Sequence, residues 1–390
     1  MSYQKSSKKK KSNKEKLPPV NPNLLIVILM LIIFGMVAIF SATAPDGIAI
    51  ANNPLYYPIK HIGFVIIGFG IMTFASKIPY TKWSKIAVPF AGVISVLIVL
   101  TLIPGIGKTD YGSSRWISLG FMQFQPSEFC KFACILLMAS ALSKVKNTLF
   151  HPLFNKHALI ILFMAFIIFK QPNMSMLIIL FVTCAGMCFA AGLHPAIFIA
   201  GAGGLAAAIS YFISNTAYQS TRITGWLNPQ ADPQGAGYNI LQSWYAIASG
   251  GLLGVGLGAS KQKLYYLPVG YTDFIFAVIS EELGFIGVLV LITLFILFMT
   301  LGFRVAARCK DTFGRLMAFG IVFCIGFQAV ANMCVASGVF PVTGITLPLI
   351  SYGGTSFFAT SLMLGVLLNI SRYSRKKERK SDSEQITQKS

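Results

Sequence analysis

The sequence predicts an all-α polytopic membrane protein with ten transmembrane helices and a long extracellular loop between helices seven and eight. Three observations carry this. Hydrophobic residues make up 55% of the 390 positions and charged residues 11%, where a soluble domain carries about 25% charged residues. Ten apolar runs recur along the chain, separated by polar connections. About three quarters of the 32 lysines and arginines fall in the two tails and in every second connection, the asymmetry that marks the cytoplasmic side of a membrane.

Residues 1–22 are basic, serine-rich and end in prolines, which predicts a disordered cytoplasmic tail. The run Leu24–Ala42 is too long for a signal-peptide core and lacks a small-residue cleavage pattern, so it is read as an uncleaved first span. Spans two (Pro58–Ser76) and three (Ile86–Ile103) follow. A glycine-rich polar loop over 104–125 then leads to span four, which starts at Pro126. Spans five (His157–Lys170), six (Met174–Ala191) and seven (Ala196–Ile213) are closely spaced. Residues 214–272 form the longest polar segment, and a loop of that length in a compact protein is usually functional. Spans eight (Phe274–Leu301), nine (Leu316–Ser337) and ten (Phe357–Ile370) complete a membrane domain covering 23–371. Residues 372–390 form a second basic tail. The charge bias puts both termini in the cytoplasm and the 214–272 loop outside.

The net charge of +20 does not point to nucleic acid. Its placement is that of a topology signal that also attracts anionic lipid heads. Cys130/Cys134 and Cys184/Cys188 have a four-residue spacing. They are read as small core residues, with no disulfide framework and no metal ligands assigned. The stretch Gly250–Gly258, GGLLGVGLG, lacks both the Gly-Lys-Ser/Thr ending and the preceding strand of a phosphate loop. It is read as a flexible segment or a short amphipathic helix on the outer membrane face.

The groups that stand out are charges where a lipid-crossing chain avoids them, since each costs roughly 2.5–3.5 kcal/mol on insertion scales. Asp273 immediately precedes span eight, and Glu281 and Glu282 lie within it. Asp273 has two open readings, a helix cap or a functional carboxylate. Glu281 and Glu282 are read as partners of polar groups on neighbouring spans. Glu128 and Lys131, three apart in span four, either pair with each other or meet an anionic substrate. Arg115 and Trp116 sit just before that span, as an interface anchor or a functional pair. Gln328 and Asn332, four apart in span nine, suit hydrogen bonds between helices. Residues 341–354 hold three glycines and two prolines, a rigid turn or re-entrant loop at the outer mouth. This pattern fits an enzyme acting on an anionic, lipid-linked substrate, and it equally fits a transporter of one.

Three long motifs go further. RWISLGFMQFQPSEFCK (Arg115–Lys131), LPVGYTDFIFAVISEELGFIG (from Leu267) and PVTGITLPLISYGGTS (Pro341–Ser356) together resemble the SEDS family, the shape, elongation, division and sporulation proteins FtsW, RodA and SpoVE. The resemblance covers about residues 20–372, and the GITLP wording is closer to the division and sporulation members. It implies a ten-span fold in the bacterial cytoplasmic membrane and an enzyme that polymerises lipid II into glycan strands on the outer face. It also implies a class B penicillin-binding protein as partner. The family's essential acidic residue, in its TDF motif, falls on Asp273, and its polar pair on Glu128 and Lys131. Two positions depart. Tyr271 stands where the family often has histidine and is given no catalytic role. QPNMS places Asn173 and Ser175 where the family often has an acid and a glycine.

The resemblance implies a glycosyl transfer in which Asp273 is the general base on the attacking hydroxyl. The departing undecaprenyl pyrophosphate needs positive charge, from Lys131, Arg115, Arg222 or a divalent cation, magnesium or manganese. Asp273 would be either the base or the ligand of that cation. The rival expectation is a lipid II flippase, with Glu281 as a deep relay toward the inner face. A scaffold that recruits the cross-linking enzyme is a third.

Overall fold

The computed structural model describes residues 18–387 apart from 111–112, 121, 145–151, 194–200, 205, 208–209, 212–216, 265 and 269. Helices α1 (Pro22–Ala51), α2 (Tyr56–Lys77) and α3 (Tyr80–Leu100) come first. Asn21 starts α1 by accepting the Asn23 and Leu24 amides, with Pro22 in the first turn, where a missing N–H loses no helical bond. Span one was expected to end at Ala42, but α1 runs on through Pro45. Asn52, in a left-handed conformation, closes it on the Gly47 and Ile48 carbonyls. An apolar run measures lipid depth, while hydrogen bonding sets helix length. Most of the tail expected to be disordered lies outside the described residues. Its last part is anchored, since Arg372 donates to the Pro18 carbonyl and the Asn21 amide donates to Ser371.

The connection over 104–125 is not a plain loop, and the all-α expectation is corrected here. It folds as an antiparallel sheet of β1 (Gly107–Asp110), β2 (Ser113–Ser118) and β3 (Gln123–Phe124), in that spatial order. Trp116 pairs with Lys108 and Ile117 with Phe124. Strands this short and polar carry no alternating apolar signal.

Helix α4 (Ser127–Leu142) is the centre of the molecule, and every residue in it except Phe129 is buried. It packs against α3, α5 (Pro152–Lys170), α6 (Met174–Ala190) and α10 (Thr312–Ala336). Around this centre the helices turn apolar side chains outward, among them Ile66, Phe74 and Leu159, while Ser95, Thr183 and Asn369 are buried. That inversion suits a chain whose solvent is lipid. Expected span seven lies largely outside the described residues, although 201–204, 206–207 and 210–211 are helical.

The segment expected as one polar loop over 214–272 carries helices α7 (Ala217–Leu227) and α8 (Tyr238–Gly250), joined through a 3-10 turn at Pro229–Ala231. Helix α9 (Ile275–Arg308) follows, and α10 begins where Asp311 accepts the Gly314 amide. Helix α11 (Gly354–Thr387) continues past residue 371 into the basic tail. Among the described residues, six helices are long and apolar enough to cross a membrane: α1, α2, α3, α9, α10 and the Gly354–Ser374 part of α11. The seven cysteines are free thiols.

Helix α9 kinks at Gly284, where φ is +62°. The Gly250–Gly258 stretch explains the kink, and past Gly250 it is a run of turns rather than an amphipathic helix. A straight helix would bond the 285 and 286 amides to the 281 and 282 carbonyls. Instead Phe285 and Ile286 donate to the Gly251 and Leu252 carbonyls, while Val255 and Gly256 donate to the Glu281 and Glu282 carbonyls. All four freed groups are satisfied by this one segment. A Cβ on Gly254 would stand 2.1 Å from the Glu282 carbonyl oxygen, so only glycine allows so close an approach.

Candidate active site

The connections at one end of the helix bundle converge on a cavity of about 330 Å³. Asp273, two residues ahead of α9, lies on its wall. Arg115 from β2 and Arg222 from α7 lie on the same wall, with Glu128 from α4 and Gln328 from α10. Asp273 does not cap α9. The cap residue is Phe274, and no side chain closes that end. This removes the capping reading of Asp273. Burial pushes its carboxyl up from 3.8 to about 6, with the charges of Arg222 and then Arg115 pulling the other way. A carboxyl near 6 is well placed to take a proton at neutral pH.

Each arginine is aimed by backbone. Arg115 donates to the Gln171 and Pro172 carbonyls at 3.4 and 2.5 Å, in the turn between α5 and α6. Arg222 donates to the Val342 carbonyl at 3.2 Å. The QPNMS departure sits here too. Asn173 accepts the Met176 amide at the start of α6, Ser175 donates to the Thr343 carbonyl, and both line the cavity. An amide at 173 therefore serves as a helix cap.

The polar pair of α4 is self-paired, as its spacing predicted: Lys131 Nζ lies 2.8 Å from Glu128 Oε2. Lys131 has no exposed surface and also donates to Gln328 Oε1 at 2.8 Å. Direct substrate contact by Lys131, expected from the sequence, gives way to a place behind the wall, with Glu128 and Gln328 in front. Gln328 in turn donates to the Thr346 carbonyl at 2.9 Å. Its role at the cavity was not visible in the sequence, where it read only as a bond between helices.

Glu281 and Glu282 are held elsewhere. Glu281 accepts the Ser260 hydroxyl and the Lys261 and Gln262 amides. Glu282 accepts Ser41 and Lys263, each at 2.7 Å. Their partners come mainly from 260–263 rather than from neighbouring spans, because the Gly250–Gly258 stretch folds that segment back onto α9. With Glu281 satisfied in this way, the observation that favoured a flippase relay is gone.

Among the described residues no group of three or more metal-ligating side chains occurs. Asp273 with Glu128, itself bonded to Lys131, is too small a donor set for a resident metal. It fits only a cation that brings water and phosphate oxygens as its remaining ligands.

Residues 22–376 match the FtsW/RodA/SpoVE cell cycle protein family. The chain is 42% identical over 361 residues to "Stage V sporulation protein E" of Bacillus subtilis, across 91% of this chain and 98% of that one. It is 40% identical over 351 residues to the "Probable peptidoglycan glycosyltransferase FtsW" of Trichlorobacter lovleyi, across 89% and 92%. Among solved structures it is similar to a chain from a peptidoglycan synthase complex described as coordinating polymerization and crosslinking. That match has a TM-score of 0.74 and 28% identity, and covers 91% of this chain and 98% of that one. The rod shape determining protein RodA of Thermus thermophilus matches with a TM-score of 0.67 at 26% identity, over 90% and 97%.

Proposed function

The chain belongs to the FtsW/RodA/SpoVE family, and from that premise we propose how its cavity performs peptidoglycan glycosyl transfer. It is a peptidoglycan glycosyltransferase of the division and sporulation type. It polymerises lipid II on the outer face of the bacterial cytoplasmic membrane. The six long apolar helices, α4 to α6 and the helical residues of 201–211 make up ten spans, and both basic tails lie in the cytoplasm. The 214–272 segment then lies outside, on the same side as the cavity.

One observation carries the site assignment. Asp273 is a carboxylate of raised pKa in a cavity whose two guanidinium groups act on it. Asp273 takes the proton of the GlcNAc 4-hydroxyl of one lipid II. The freed oxygen bonds to the anomeric carbon of the MurNAc on the other chain, and the bond from that carbon to the pyrophosphate oxygen breaks. Undecaprenyl pyrophosphate leaves with the electron pair, and Arg115 and Arg222 stabilise its charge. Glu128, locked to Lys131, forms part of the cavity wall. If a magnesium or manganese ion arrived with the pyrophosphate, Asp273 would be its ligand in place of the base, and the ion would neutralise the same charge. The polyprenyl tail lies among lipid-facing helices, and a class B penicillin-binding protein takes the product strand for cross-linking.

The test is polymerisation of purified lipid II by wild type and Asp273→Asn, each with a co-purified penicillin-binding partner whose transpeptidase site is blocked. Polymer from wild type alone is the expected result. Equal polymer from a folded Asp273→Asn would remove the base from the reaction.

A further inference from the structure

Asp273 is held through its backbone. The charges of Arg222 and Arg115 act on its carboxylate, while backbone bonds fix the chain it hangs from. Three consecutive carbonyls ahead of α9 each accept a bond from the later part of the sequence. The Tyr352 amide donates to Tyr271 at 3.0 Å, the Ser351 hydroxyl to Thr272 at 2.5 Å, and the Asn332 side-chain amide to Asp273 at 2.7 Å. The same Asn332 nitrogen donates to the Ile345 carbonyl at 2.6 Å. Asn332 has no exposed surface, and a lost donor leaves the buried bond to Ile345 and the part-buried bond to Asp273 unmade. Ile345 follows Gly344, whose backbone turns left-handed beside the Asp273 carboxylate. One amide group therefore spans the strand that carries Asp273 and the strap that bounds it.

We propose that Asn332 is the positioning residue for Asp273: by holding the Asp273 and Ile345 carbonyls together, it sets where the carboxylate meets the attacking hydroxyl. This rests on Asp273 being the base. One turn earlier on α10, Gln328 makes the matching link from Lys131 to Thr346. The face of α10 with Gln328 and Asn332 thus joins the Glu128 side of the cavity to the Asp273 side.

The experiment measures lipid II polymerisation at varied substrate and pH for wild type, Asn332→Leu, Asn332→Asp and Asp273→Asn, with folding followed by thermal unfolding. Leucine keeps the volume and removes both donors. A shift of the carboxylate by about 1 Å lowers kcat about 100-fold, while KM stays within about three-fold because the arginines that bind substrate are untouched. Asn332→Asp donates one bond when neutral and none when ionised, so the ratio of its activity to wild type rises as pH falls. A merely structural Asn332 would lower the folded fraction and leave kcat per folded molecule and this ratio flat. That result overturns the proposal. Should Asn332→Leu not fold, Ser351→Ala decides. It frees the Thr272 carbonyl and the Leu347 amide and leaves Asn332 in place; a kcat loss at unchanged KM supports positioning, and wild-type kcat overturns it. Full activity of Asp273→Asn would overturn the base and its positioning together. An inactive Asp273→Asn beside a fully active, folded Asn332→Leu overturns positioning alone.

Discussion

Lys131 on α4 and Gln328 on α10 meet at 2.8 Å, and this bond ties the two central helices at the floor of the cavity. Lys131 also carries Glu128. Lys131→Met should therefore leave a buried carboxylate without its cation and cost about 3–5 kcal/mol. Gln328→Leu leaves the ion pair intact and removes the bond accepted from the Lys131 ammonium and the bonds donated to Thr346, for about 1–3 kcal/mol. Thermal unfolding in detergent should rank Lys131→Met as the less stable. The reverse order would mean that the amide, not the lysine, anchors the floor.

The raised carboxyl of Asp273 predicts the pH profile. A base acts when deprotonated, so kcat/KM should rise with pH through about 6 and level off above it. Arg222 is the larger of the two charges that hold the value down, ahead of Arg115. Arg222→Gln should move the midpoint upward, and Arg115→Gln should move it less. A profile whose midpoint ignores both substitutions would place the titrating group elsewhere.

Gly344 has φ of +74°, and a Cβ there would stand 3.5 Å from Asp273 Oδ2. Gly344→Ala adds roughly 1–2 kcal/mol of left-handed backbone strain. The new methyl also touches the carboxylate. Polymerisation should fall by more than the loss of folded protein explains. Comparing turnover per folded molecule with melting temperature checks this.

At the kink of α9, a Cβ on Gly284 would lie 2.3 Å from the Gly254 amide nitrogen, backbone against backbone. Gly284→Ala should break the exchange of bonds with Gly250–Gly258 and leave buried amides and carbonyls unpaired, at about 1–3 kcal/mol each. Low yield or a strongly lowered melting temperature is expected, with proteolysis appearing first near 251–263. A variant as stable as wild type would show that α9 can straighten.

Glu282→Gln removes the charge that Lys263 meets at 2.7 Å, nine residues past Asp273. The lysine is almost wholly buried, so stability should fall by several kcal/mol, about 3–5. Activity per folded molecule should be near wild type. A selective loss of activity at full stability would make Glu282 a working group.

The sequence by itself determined what depends on local composition and on spacing within one segment. Apolar runs marked the long membrane helices, and a three-residue spacing paired Glu128 with Lys131. The motif around Asp273 marked the catalytic candidate. The tertiary structure decided everything that depends on contacts between distant segments. The sheet over 104–125 was hidden because its strands are too short for periodicity. The Gly250–Gly258 stretch found its role only against the kink at Gly284. Gln328 and Asn332 read as ordinary polar groups between helices until the fold set them against Lys131, Thr346 and the Asp273 carbonyl. A side-chain amide can bond almost any peptide group within reach, and which one it meets is fixed by how the helices pack.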